Sequence, residues 1–247
     1  MKIDVLTLFP AMFEPVMSQS MMWKARDRGL LDFEAQDIRN YAVDKHRAVD
    51  DSPYGGGGGM ILKPDVLVRA IEAVKPDDRS PVILMSPQGR LLTHAVAVEL
   101  SRADHLLLVC GHYEGVDERV RELAINDEIS IGDYVLTGGE LAAMVLIDAV
   151  VRQIPGVLGA EGAQDRDSHA DGLGGLLEGP HYTRPAEFRG LGVPAVLTSG
   201  HHAEVDRWRR RQALKRTWRM RPDLLARAEL SDEDLAFLAG LIKDAGD

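Results

Sequence analysis

Three stretches of this chain place glycine where main chain itself could do the chemistry: Ser86-Pro-Gln-Gly-Arg90, Gly111-His-Tyr-Glu-Gly115 and Ile131-Gly-Asp-Tyr-Val-Leu-Thr-Gly-Gly139. In the third, Ile129, Ile131, Val135 and Leu136 mark buried backbone, and Gly132, Gly138 and Gly139 interrupt it. An apolar run broken by glycines indicates backbone that turns sharply or lies directly against a ligand. After Gly139 the period becomes helical, with Leu141, Met144, Val145 and Asp148. The loop therefore delivers its amides to the start of a buried helix, where a ligand meets main-chain donors.

A second chemistry is written in charge. Arg207, Arg209, Arg210, Arg211, Lys215, Arg216, Arg219 and Arg221 lie close together, with Trp208 and Trp218 among them and no acid between Asp206 and Asp223. Arg207, Arg211, Lys215 and Arg219 recur every four residues and share one helical face. A solvated face normally mixes signs, so this run points to phosphate-backbone binding. A third candidate is the polar stretch 40–60, where His46, Arg47 and Asp50 precede five consecutive glycines, Gly55 to Gly59. It is not a P-loop, because no Lys-Ser or Lys-Thr follows, and Met60 stands where a dinucleotide fingerprint needs its third glycine. It reads as a loop able to fold over a ligand.

The elements that must position these residues follow from periodicity. Lys2 to Phe9 reads as a buried strand ended by Pro10. Residues 11–23 are rich in Met and aromatics, as suits a core or a subunit contact, and Leu31, Phe33 and Ala35 alternate as a strand does. From Pro64 helix and strand alternate: Val66 to Val74 helical, Val82 to Met85 a strand, a helix capped by Thr93, Leu106 to Cys110 a strand, a helix opened by Asp117, and a short strand through Ile129 and Ile131. Continuous apolar strands alternating with helices predict an α/β fold, a parallel sheet covered on both faces. Ligands on such sheets bind at the carboxyl ends of the strands, which is where all three glycine turns fall. Residues 159–175 are glycine- and Asp-rich with few large apolar side chains, as in a mobile linker. Beyond them Ser199 is a candidate helix cap, Ser231 and Asp234 form a capping box, and Leu235, Leu238, Ala239 and Ile242 line one apolar stripe.

The 247 residues give one large domain, or one plus a small one. A formal charge of -10 and a pI near 5.3 exclude a surface basic all over but not a local basic patch. Cys110 is the only cysteine, so no intrachain disulfide or thiolate cluster is expected, and a reducing cytoplasm suits the chain. No apolar run reaches the roughly 20 residues of a membrane span, and the start lacks a signal-peptide pattern.

The stretches Pro53-Tyr-Gly-Gly-Gly57, Ser86 to Arg90, Tyr113-Glu-Gly-Val-Asp-Glu-Arg119, Ile131 to Glu140, Pro180-His-Tyr-Thr-Arg-Pro185 and Trp208-Arg-Arg210 resemble, in the same order, the bacterial tRNA (guanine-37-N1)-methyltransferases. The resemblance runs from Lys2 to about Pro222. It implies a SPOUT-class α/β fold with a deep trefoil knot, mainly parallel, over residues 1–158. A flexible linker at 159–176 and a small helical tRNA-binding domain at 177–247 would follow. It also implies a homodimer with each active site at the subunit boundary.

By the same resemblance, S-adenosyl-L-methionine would lie in the knot against Ser86, Pro87, Gly89, Gly111, Tyr113, Glu114, Gly115, Ile131, Gly132, Tyr134, Leu136, Gly138 and Gly139. Asp167 matches the general base that takes the guanine N1 proton, and Arg152 the group that steadies charge at O6. His46, Asp50, Arg184, Arg207, Arg210, Arg211 and Lys215 are the candidates for contact with a tRNA carrying G at position 37. No metal ligands are expected; a magnesium requirement is implied by family analogy alone. The sequence departs from the family at His112, commonly arginine, at Gly58, often proline, and in a linker lengthened by Gly174-Gly175. That length leaves Asp165 and Asp171 as alternatives to Asp167. A tRNA-binding protein without catalysis and a ribose 2'-O-methyltransferase of the same fold are the competing readings.

Overall fold

In the apolar runs, neighbouring side chains point to opposite faces of one sheet, and each face finds its own cover. The computed structural model describes residues 1–77, 79–159, 162 and 164–246, and the chain divides into two compact units, Met1–Glu161 and Gly162–Asp247. In the first unit come β1 (Lys2–Thr7), α1 (Glu14–Met17), α2 (Ser20–Asp27), β2 (Asp32–Asp37), β3 (Asp50–Asp51), β4 (Ile61–Leu62), α3 (Pro64–Val74), β5 (Val82–Leu91), α4 (His94–Leu100), β6 (His105–Cys110), α5 (Glu118–Ala124), β7 (Asp127–Ser130) and α6 (Glu140–Val151).

Five strands form one sheet in the order β2-β1-β6-β5-β7, every neighbouring pair parallel, as the sequence predicts. Ile3, Val5, Ile83, Leu106, Leu108 and Cys110 pack one face against α2, α4 and α6. Leu6, Val82, Leu84, Leu107 and Val109 pack the other against α3 and α5. Leu106 to Cys110 are wholly buried, each large aliphatic side chain contributing about 1.5–3 kcal/mol relative to exposure. This two-sided cover is why the strand reads as a continuous apolar run.

Two expectations shift. Val82 to Met85 does not end in a simple turn; the strand continues to Leu91, and its pairing with β7 breaks between Met85 and Arg90. Ser86 to Gly89 loop out of a strand whose far end is pinned by Arg90, which donates to Glu99 and Asp127 at 2.8–3.2 Å. Helix α6 has the predicted period, yet Leu141 and Val145 are exposed; Ala142, Ala143, Leu146, Ile147, Val150 and Val151 carry the buried face.

The second unit contains a hairpin of β8 (Glu187–Phe188) and β9 (Leu191–Gly192), then α7 (His202–Met220), α8 (Pro222–Leu225) and α9 (Asp232–Gly246). Gln164–Arg166 and Asp171–Leu173 form short 3-10 turns. Leu176, Leu214 and Leu238 form its core. Ser199 does not cap α7: its hydroxyl accepts from the His201 amide at 3.1 Å, and His201 precedes the helix. The capping box of α9 is present, with Ser231 Oγ accepting from Asp234 N at 3.2 Å and Asp234 accepting from Ser231 N at 3.1 Å. Its buried face is Asp234, Phe237, Leu238 and Leu241, so Leu235 and Ile242 stay exposed. The aromatic ring of Phe237 turns the helix away from the stripe read from aliphatics alone.

Candidate functional site

At the carboxyl ends of β5, β6 and β7 the three glycine stretches surround one open cleft. Ser86 and Pro87 line it from the first loop, Gly111, Tyr113, Glu114 and Gly115 from the second, and Ile131, Gly132, Tyr134, Leu136, Gly138 and Gly139 from the third. Gly89 alone of the candidate cofactor residues is not on the wall. A side chain there would collide with the Glu128 backbone, so glycine at 89 serves the bulge between β5 and β7. The sequence reading omitted Gln88, His112, Thr137, Arg121 and Ala142, which also line the cleft. Arg121 and Ala142 come from helices α5 and α6 and carry no local signal for it.

Buried contacts fix the third loop. Gly139 N–H donates to Gly111 O at 2.9 Å, His112 and Gly138 form an antiparallel bridge, and a Cβ at Gly139 would stand 2.8 Å from the Cys110 Cα. The second and third turns thus touch through backbone, at a separation only glycine allows. Behind them Thr7 Oγ1 donates to the buried carboxylate of Glu140, the first residue of α6, at 2.7 Å. Thr7 in turn accepts from Phe9 N at 2.9 Å. Burial, and then the nearby Glu140 carboxylate, push the Cys110 thiol well above its ordinary value. Cys110 is a packed side chain and not a nucleophile.

The His112 ring lies tilted against Phe9 and edge-on to Tyr113, at centroid distances of 5.0 and 4.8 Å. Its Nδ1 is buried and has no hydrogen-bond partner among the described residues. Tyr113 adopts a positive φ of 60°, and its phenol pKa is raised, first by burial and then by Asp50. Asp50 thus lies beside the cleft wall, whereas His46 sits on an exposed turn whose amide donates to Asp44 at 2.9 Å. Arg152 follows the last turn of α6 and is half-buried.

In the second unit Asp167 is half-buried just after the first 3-10 turn, its N–H donating to Gln164 O at 3.2 Å. Asp165 and Asp171 are exposed, as is Arg184. The basic helix α7 is not the uncompensated strip its local sequence suggests. Arg207 and Arg211 face Glu233 at 3.6 and 3.2 Å, and Arg210 pairs with Asp234 at 2.8 Å while donating to Leu173 O. Arg216 donates to the carbonyls of Glu178 and Gly179. Among the described residues Lys215 and Arg219, one turn apart, make no hydrogen bond or ion pair. The acids that neutralise Arg207, Arg210 and Arg211 come from α9, too far along the chain for a local reading to find, whereas Arg209 and Arg221 face the nearby Asp206 and Asp223.

A parallel sheet whose strand ends present main chain to one cleft defines an α/β protein that takes a small ligand at that rim. Residues 1–227 match the model of the family described as tRNA (Guanine-1)-methyltransferase TrmD, and the chain belongs to that family. It is 56% identical over 246 residues to the tRNA (guanine-N(1)-)-methyltransferase of Geobacter metallireducens, covering 99% of both chains. It is 57% identical to the proteins of that name from Geobacter sulfurreducens, with 99% of each chain covered, and Moorella thermoacetica, with 100% of this chain and 99% of the relative. Among the described residues no helix is long and apolar enough to cross a membrane.

Proposed function

We propose that this chain transfers a methyl group from S-adenosyl-L-methionine to N1 of guanosine 37, beside the anticodon of tRNA. The observation that carries the reading is the cleft at the carboxyl ends of β5, β6 and β7, walled by main chain in a member of a tRNA guanine-N1 methyltransferase family. Its apolar Ile131 and Leu136 and the aromatic ring of Tyr134 suit a purine, and the amides of the Gly138–Gly139 turn suit the polar ends of a nucleoside. The donor supplies a methyl group on a sulfonium centre.

Asp167 accepts the N1 proton, and Arg152 steadies the charge that moves toward O6. A carboxylate is a weak base, so much of the rate comes from positioning and the exclusion of water. The target guanine leaves its stack to be reached. In the same reading the first unit forms a trefoil knot, two chains pair with each active site at their boundary, and the protein works in the cytoplasm. The second unit holds tRNA through Arg184, Lys215 and the α7 arginines, with His46 and Asp50 contributing from the first.

The test is to incubate the protein with labelled S-adenosylmethionine and tRNAs carrying G36-G37, then map the modified base. Label at guanine N1 of position 37 is expected. Label on a ribose 2'-oxygen, or tight binding without transfer, sinks the proposal.

A further inference from the structure

Tyr54 is 99% exposed, the most exposed large hydrophobic side chain among the described residues. Tyrosine carries an apolar ring and a polar tip, and here the whole ring is open to a partner. It stands on the loop between β3 and β4, followed by Gly55 and Gly56 with φ of 85° and 80°, where a Cβ would meet no described atom within 4 Å. At that exposure, no described residue covers the ring.

The base of this loop, by contrast, is tied to the second turn of the cleft. Glu114 N donates to Met60 O and Leu62 N donates to Gly115 O, both at 3.0 Å. Leu62 bridges Val116 in parallel fashion, and the Glu114 side chain lies against the α-carbon of Gly59. Asp50, opening β3, faces the Tyr113 phenol. The turn that walls the cleft therefore anchors the base of the loop that carries Tyr54.

An exposed ring on a loop hydrogen-bonded to the cleft wall suits an unstacked nucleobase, since every base has a π-face. We propose that Tyr54 stacks on the nucleobase next to the methylated guanine, on a loop kept in register by the turn that binds the methyl donor. This rests on the function proposed above and adds the residue that positions the substrate strand.

The experiment uses the full chain with a tRNA transcript at saturating S-adenosylmethionine. Tyr54→Ala should raise the KM for tRNA about tenfold while leaving the donor Kd unchanged, and Tyr54→Phe should stay within about twofold of the parent, because the ring and not the hydroxyl stacks. Tyr54→Trp should show more fluorescence quenching by tRNA than the parent, whose Trp23, Trp208 and Trp218 set the background, and no such excess with a fully paired RNA duplex. An unchanged KM in Tyr54→Ala, or quenching in Tyr54→Trp equal to that of the parent, overturns the inference. So does a change of oligomeric state in Tyr54→Ala, which would assign the ring to a second copy of the chain. Quenching by tRNA without methylation of guanine N1 in the parent protein would leave the stacking role standing and sink the proposed reaction instead.

Discussion

Arg210 on α7 and Asp234 on α9 hold each other by two prongs, Nη2 at 2.8 Å and Nε at 3.2 Å from the carboxylate. The same guanidinium donates to Leu173 O at 2.8 Å, and Asp234 is buried and closes the capping box of its own helix. This arginine therefore joins three segments of the second unit. Its position in a basic run describes the sequence better than it describes the role.

Arg210→Ala should cost about 2–3 kcal/mol of stability, because it strands a buried carboxylate. Urea denaturation checks this. Arg210, and then the Ser231 amide, hold the Asp234 carboxyl below the usual carboxylate range. A depressed folded-state value makes the contribution fully present above about pH 4, the unfolded value, and loses it as pH falls through the folded one. The acid limb of the stability curve should thus be shallower in Arg210→Ala. An equally steep limb would show that the pair does not set it.

Electrostatic binding should divide along α7 in the same way. Lys215 and Arg219 are uncommitted among the described residues, whereas Arg207 and Arg211 face Glu233. Lys215→Glu with Arg219→Glu should weaken tRNA binding at least tenfold at low salt and flatten the plot of log K against log salt by about one unit per lost phosphate contact. Arg207→Gln with Arg211→Gln should do less. A larger loss from the second pair would place the RNA on the α9 side of the helix.

How much of this was legible depends on the range of each signal. Leu106 to Cys110 reads as a two-sided strand because burial on both faces leaves no room for polar alternation, and the three glycine turns follow from local sequence alone. Gly89 looks like its neighbours but serves the bulge against Glu128, because close approach of two backbones 39 positions apart leaves no mark on either. The pairing of Arg210 with Asp234 is likewise invisible until α7 and α9 meet. On α6 the period is correct and Met144 is buried, but Leu141 and Val145 are exposed, since alanines at 142 and 143 bury as well as leucines do and give a weaker pattern. The roles of Asp167 and Arg152 came only from family resemblance, for neither residue belongs to a local pattern that dictates chemistry.

Gly139 should be intolerant of even one methyl group. The Cβ of alanine would stand 2.8 Å from Cys110 Cα and 3.1 Å from Cys110 Cβ, both wholly buried in a strand that cannot yield. The turn must move instead, and with it the wall of the cleft. Gly139→Ala should weaken S-adenosylmethionine binding more than tenfold by calorimetry while far-UV circular dichroism stays unchanged. Retention of parental affinity would show that the donor does not lie against this turn.

Asp167 differs from its neighbours in burial: it is half-buried, whereas Asp165 and Asp171 are exposed. A proton acceptor needs a fixed position more than it needs basicity, which favours Asp167. Asp167→Ala should lower single-turnover methylation by about 100- to 10,000-fold, the usual range for a lost general base, with the donor Kd within about twofold. Asp165→Ala and Asp171→Ala should keep most of the activity. Arg152→Gln should lower the rate without abolishing tRNA binding, because it removes charge stabilisation that grows only as the proton leaves. Equal loss of donor binding and turnover in Asp167→Ala would show that this aspartate organises the site and does not act on the guanine. Loss in Asp165→Ala in its place would move the base by two positions along the segment.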